Sequence, residues 1–296
     1  MPIAELFAIS AAFCSALSGM LIAELRGRVD IFRLGRWQMA TAVILCGVVS
    51  FSVGGWRGVA PWQFGFLAAS GFFGIVVAST TYYAAIYAIG ARSTALLFSL
   101  TSPFALVLGY AGLGETISLR QIAGVALVLA GILLAIGFPV SRPRAKAIEP
   151  ARAASRRGVM FGVITALGQA LGGLCARPAM AAGVEPFTAM GVRALVAAVF
   201  FFALAALPIA ALKNPYRFSW RDLAIAVASA LVGAGLGMSL LMAALAHGKV
   251  GIVSTLASMT PVVILPMVWI RTRAAPPRRA WAGAILAAIG TACIGL

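Results

Sequence analysis

Charge is what this chain has least of. Only 10% of its 296 residues are Asp, Glu, Lys or Arg, against about 25% in a soluble domain. With 62% hydrophobic residues, the deficit excludes a water-soluble globule and makes the bilayer the solvent. Acid is scarcer still. Glu5, Glu24, Asp30, Glu115, Glu149, Glu185 and Asp222 are the whole supply, and all fall at or near the ends of apolar segments or between them. No carboxylate lies in mid-span, where proton-coupled carriers usually keep one, so facilitated diffusion is a serious alternative to coupled transport. The single histidine, His247, sits in a tight turn, which favours a helix-end role over proton coupling. Cys14, Cys46, Cys175 and Cys293 are scattered and form no CxxC pair, so no metal site and no disulfide framework is expected. Without a P-loop there is no case for an ATP-driven pump. Without a nucleophile–base pair or paired carboxylates in the bilayer there is none for an enzyme. No cofactor is expected.

What the chain does have is cation and long apolar runs. A net charge of +16 would point to nucleic acid in a soluble protein. Here the cations lie between apolar segments, which assigns them to topology and anionic headgroups. Nucleic acid is not an expected partner; the lipid bilayer is. At roughly 20 residues per crossing there is room for about ten helices. The patterning places them at about 3–25, 31–53, 62–89, 91–111, 119–138, 158–182, 186–212, 220–246, 250–271 and 280–296. Met1–Leu6 lacks a basic n-region, so the first segment reads as a retained span. Residues 139–157, PVSRPRAKAIEPARAASRR, are basic, proline-rich and aperiodic, and read as a linker between a first half (1–138) and a second (158–296). Trp37, Trp56, Trp62, Trp220, Trp269 and Trp281 fall near proposed helix ends, where indole prefers the interface.

The halves match. Arg36 pairs with Arg193, Pro103 with Pro261, Gly124 with Gly283 and Gly131 with Gly290, at separations of 157 to 159 residues. Five helices per repeat is an odd number, which inverts the second copy relative to the first. The expected fold is therefore all-α and membrane-integral, with ten transmembrane helices in two inverted five-helix repeats. All but five of the 23 Lys and Arg (the five being Arg57, Arg120, Arg177, Arg193 and Lys249) lie in the turns after the odd-numbered spans. That bias puts those turns in the cytoplasm and both termini outside.

Two hydroxyl-bearing, proline-broken helices stand at matching places. Ser99, Thr101 and Ser102 precede Pro103, and Ser254, Ser258 and Thr260 precede Pro261. Proline removes a backbone donor and disturbs the preceding turn, so both prolines are expected hinges. Such pairs point to a substrate site at the midplane of a transporter. Single serines can also satisfy themselves on a carbonyl one turn back. Ser79, Tyr83 and Tyr87 share a helix face, with Tyr82 adjacent. These tyrosines divide between an interface belt and a pocket, and Tyr82 or Tyr83 would offer stacking and a hydrogen bond. Gln169, one turn from Thr165, must face the protein interior, for a helix–helix bond or for substrate. Met238, Ser239 and Met242 suit core packing or an adaptable pocket. Arg36 and Arg193 read as structural anchors in preference to substrate ligands.

The Ser-Pro of the fourth span followed by GYAGLGETISLRQIAGVALVLAGILLA, and its weaker echo in the second half, resemble the drug/metabolite transporter superfamily. The nearest likeness is to its EamA-type branch, which includes the YddG-like aromatic amino acid exporters. The resemblance implies a basket of helices around a central cavity. It also implies export of amino acids or similar small metabolites from the bacterial cytoplasm across the inner membrane, by a monomer working through alternating access. A drug/proton antiporter of the same fold is the alternative; a membrane enzyme or receptor is the rival from other classes. Carried over, the pocket draws on Tyr82, Tyr83, Ser99, Ser102, Ser258 and Pro261. Ser79 and Gln169 join them from the residue reading.

Overall fold

A computed structural model of the protein describes residues 3–113, 117–136, 155–206, 219–247, 256–257, 259–273 and 276–295, and every regular element among them is helical. In order, α1 is Ile3–Glu24 and α2 Ile31–Val53. Next, α3 (Pro61–Gly71) passes through a π-helical segment, Phe72–Val77, into α4 (Ala78–Phe98). α5 is Thr101–Leu113, α6 Leu119–Ile136, α7 Arg156–Ala181 and α8 Pro186–Ala206. α9 (Trp220–Ser229) passes through a second π segment, Ala230–Gly237, into α10 (Met238–His247). α11 (Thr260–Thr272) and α12 (Arg278–Gly295) complete the set. Six helical stretches among the described residues are long and apolar enough to cross a bilayer: Ile3–Glu24, Ile31–Val53, Pro61–Phe98, Arg156–Ala181, Pro186–Ala206 and Trp220–Ala244. Large apolar side chains such as Ile44, Phe51, Leu133 and Val199 point outward. In a bilayer that is the stable direction.

Starts and stops follow local chemistry. Asp30 caps α2 by accepting from the backbone N–H of Phe32 (3.0 Å) and Arg33 (3.2 Å). Glu185 caps α8 in the same way, from Phe187 (2.8 Å) and Thr188 (2.6 Å). Both satisfy donors that a helix start leaves orphaned, and both put negative charge at the positive end of the dipole. Gly90 takes φ 85° and reverses the chain inside the Ala78–Phe98 stretch. A left-handed residue there is why the turn can be so tight.

The proline-broken spans differ from the expected kink. The first helix parts at Ser99–Leu100, with α5 restarting at Thr101, so the break falls ahead of Pro103 and not at it. The proline ring crowds the carbonyl four residues back, which is that of Ser99. In the second half Pro261 sits in the first turn of α11, where a missing N–H costs nothing, and the Thr260 hydroxyl donates to the Ala257 carbonyl (3.0 Å). Ser258, the Gly114-Glu115 turn and residues 139–154 of the linker lie outside the described residues.

Packing pairs the halves element by element. The π segments begin 158 residues apart, at Phe72 and Ala230. α6 and α12 lie antiparallel with their backbones in contact. A Cβ added at Gly131 would meet the Gly283 carbonyl at 2.5 Å, and one added at Gly290 would meet the Gly124 carbonyl at 2.6 Å. Counted from their acidic caps, α2 and α8 place Gln38 and Arg193 at the same position, eight residues in. That moves the equivalence of Arg193 from Arg36 to Gln38.

One end of the bundle is sealed between the halves. Leu25, Val29, Leu34, Ile86, Ala226 and Ile264 are buried together there. Arg28 pairs with Asp222 at 3.6 Å and Arg271 with Glu24 on the rim of the same cluster. This is the end that carries the cation-rich turns after α1 and α11.

Candidate functional site

Above that seal lies a cavity with about 730 Å³ of empty space, counting its open mouth. Both halves supply the wall: α1, α2, both π segments, α4, α7, α8, α10 and the first residue of α11. One side is aromatic. Tyr82 stands edge-on to Tyr83 (6.2 Å between ring centroids) and to Phe98 (6.3 Å). The rest alternates thioethers (Met39, Met190, Met238) with small and hydroxyl residues (Ser15, Ser79, Thr165, Gly74, Gly233). Unbranched thioethers adapt to varied shapes and favour aromatic rings, so the lining suits a flat apolar group.

A buried polar chain holds the aromatic corner. The Tyr83 hydroxyl donates to Gln38 Oε1 (3.2 Å), Gln38 Nε2 donates to Ser229 Oγ (2.7 Å), and Ser229 Oγ donates to the Ala226 carbonyl (2.8 Å). Ser18 Oγ donates to the Ser229 carbonyl (2.9 Å), tying α1 into the same knot. On the opposite side Thr81 and Thr165 share a hydroxyl contact of 2.8 Å across α4 and α7. Buried groups partnered in this way fix side-chain positions in a low-dielectric interior.

Behind the wall at Gly74 sits Arg193, 1% exposed. Its Nη1 faces the Met242 sulfur at 3.5 Å, and its Nε meets no hydrogen-bond partner. Gln169 lines the cavity with its Nε2 3.9 Å from the Met238 sulfur, and its Oε1 is also without a partner. Sulfur is a weak acceptor for either group.

Of the residues singled out from sequence, Ser79, Tyr82, Tyr83 and Gln169 line the cavity together. Ser99 and Ser102 are buried beside the helix break but do not reach the cavity wall. Pro103 is buried in the first turn of α5, and Pro261 lines a separate small recess with Arg92 and Leu96. Thr260, next to Pro261, is the residue of that motif on the cavity wall. Sequence reasoning passed over Ser18, Gln38 and Ser229. Gln38 carried the signal that picked out Gln169: an amide inside an apolar segment must face protein. Among the described residues no three His, Cys, Asp or Glu side chains lie close enough to hold a metal ion.

A helical protein with a central cavity shared by both halves has the build of a membrane carrier. The EamA-like transporter family matches residues 2–137 and again 156–296. The chain belongs to the EamA-like transporter family, and is a multi-pass membrane transporter of small molecules. A solved structure described only as "Crystal structure of protein" superposes with TM-score 0.71 at 16% identity, over 98% of this chain and 95% of that one. That likeness shows the fold alone. No curated protein matches the chain.

Proposed function

We propose that the protein is a secondary carrier that exports amino acids, aromatic ones included, or similar small metabolites across the bacterial inner membrane. The observation that carries this reading is the cavity itself: an aromatic and thioether lining with amide and hydroxyl groups, built from both halves. Ten spans in two inverted repeats are the architecture we assign. The support is reciprocal: Gly131 meets Gly283 where Gly290 meets Gly124, on antiparallel helices. A two-fold that exchanges antiparallel partners lies across the helices, and so in the membrane plane. Charge bias supports cytoplasmic placement of the turns after α1 and α11, with both termini periplasmic. On that orientation the sealed end is cytoplasmic, and opening it requires parting Arg28 from Asp222 and Arg271 from Glu24. Rigid elements on either side of the Ser99–Leu100 break and of Pro261 would rock to do so.

A drug/proton antiporter of the same fold needs a protonatable group near its cargo. The described acids sit at helix ends, and none lines the cavity. Facilitated diffusion is the simpler mechanism. Proteoliposomes loaded with labelled phenylalanine, threonine or methionine test both points. Efflux that is independent of a pH gradient and lost in Ser79→Trp, which fills the cavity, is the expected result. Efflux only with a gradient would point to the antiporter, and no efflux of any amino acid would remove the cargo assignment.

A further inference from the structure

An arginine buried in a membrane protein normally has a carboxylate or several carbonyls around it, because an uncompensated charge there is strongly unfavourable. Arg193 has neither. It forms none of the ion pairs among the described residues, its Nε has no acceptor, and the acceptor of its Nη1 is a thioether. What separates it from the cavity is Gly74. A Cβ built on Gly74 would lie 2.8 Å from Arg193 Nη2 and 3.1 Å from Gln169 Oε1, so the absent side chain is what lets guanidinium and amide approach the cavity. Gly74 belongs to the π segment Phe72–Val77, and such segments often mark functional sites. Among the described residues no carboxylate lines the cavity to balance the charge. The fixed charge beside the cavity is therefore positive.

We propose that Arg193, reached through the gap at Gly74 and flanked by the Gln169 amide, binds the carboxylate of the transported molecule. This rests on reading the cavity as the cargo site. The guanidinium fork matches a carboxylate in shape and charge, and Nε with one Nη is the edge that binds it bidentately. Gln169, through its Nε2, would donate to the same anion once it turns away from Met238. The aromatic corner at Tyr82, Tyr83 and Phe98 then takes the apolar end of the cargo. The cargo class is accordingly a carboxylate with an apolar or aromatic body, and lipophilic cations are excluded.

The test is ligand-induced thermal stabilisation of the purified full chain in detergent, titrated with three matched pairs: phenylalanine and phenylalaninamide, indole-3-acetate and tryptamine, benzoate and benzamide. The carboxylate of each pair that binds should be tighter by about tenfold or more, as befits a charge-assisted pair. Arg193→Lys should keep part of that preference and Arg193→Met should abolish it. Gly74→Ala keeps the charge and puts a single methyl group in the gap, 2.8 Å from Arg193 Nη2 and 3.1 Å from the Gly172 Cα, the least that the backbone contact with Gly172 must absorb, and should weaken the carboxylate alone. It also decides the matter if the arginine variants do not fold. Equal or tighter binding of the amides or amines, stabilisation by none of the six, or a preference that survives Arg193→Met would overturn the proposal. Binding of benzoate and indole-3-acetate without phenylalanine would keep the proposal and remove the amino acid reading.

Discussion

Gln38 and Arg193 occupy the same place in the two halves, eight residues past an acidic cap, and their surroundings are opposite. Gln38 uses both ends of its amide, accepting from Tyr83 and donating to Ser229. Arg193 packs its backbone against Gly71, which stands 158 residues before Ser229, and finds only a sulfur. The first corner is closed on itself and holds the cavity's shape. The second is left open and offers the cavity a charge. A duplicated fold gives two copies of every position, and one copy can be spent on structure while the other is left for cargo.

The largest effect tests the frame that both corners depend on. A Cβ at Gly172 would lie 2.5 Å from the Gly74 Cα, backbone against backbone, so Gly172→Leu should abolish folded protein, seen as loss of the monodisperse peak in size-exclusion chromatography. Next, the two corners should part company in a stability assay. Gln38→Leu strands Tyr83 and Ser229, and should cost about 1–3 kcal/mol of thermal stability while any preference for carboxylates remains. Arg193→Met removes an unpaired buried charge at similar volume, and should leave the unliganded protein as stable or more so. A loss of stability on the scale of the Gln38 change would show that Arg193 is a structural anchor after all. Smaller again is Tyr83→Phe, which deletes one neutral hydrogen bond and should cost about 1 kcal/mol in chemical unfolding. The smallest effect is at the sealed end. Glu24→Gln breaks an exposed pair worth about 1 kcal/mol or less. It should show as faster labelling of a cysteine placed at Ser15, on the cavity wall, from the side of the sealed end.

Much of this could be read in advance. Apolar runs separated by cationic turns announced an all-helical membrane protein, because in a bilayer any other backbone would leave polar groups unpaired; the break at Ser99–Leu100, inside the span expected at 91–111, was not legible. The αL turn at Gly90 and the helix start at Asp30 rest on chemistry local to a few residues. Among cavity-lining residues, Gln169 was legible because an amide in an apolar segment must face protein, and Ser79 and Tyr83 because they share a helix face, with Tyr82 adjacent. Ser99 and Ser102 were the misleading case. Their hydroxyl-proline context marks a break in the helix, but whether a side chain beside a break faces the cavity depends on how the restarted helix is rotated.

The sequence by itself determined the class of protein: composition and hydrophobic period dictate a helical membrane fold. Tertiary structure decided which residues meet. Gln38 with Ser229, and Arg193 with Gly74 and Met242, are brought together from far apart in the chain by helix packing, and that register depends on the summed fit of small residues at many contacts. No local signal carries it. The difference between a satisfied amide and an unsatisfied arginine at the same position therefore became visible only in three dimensions.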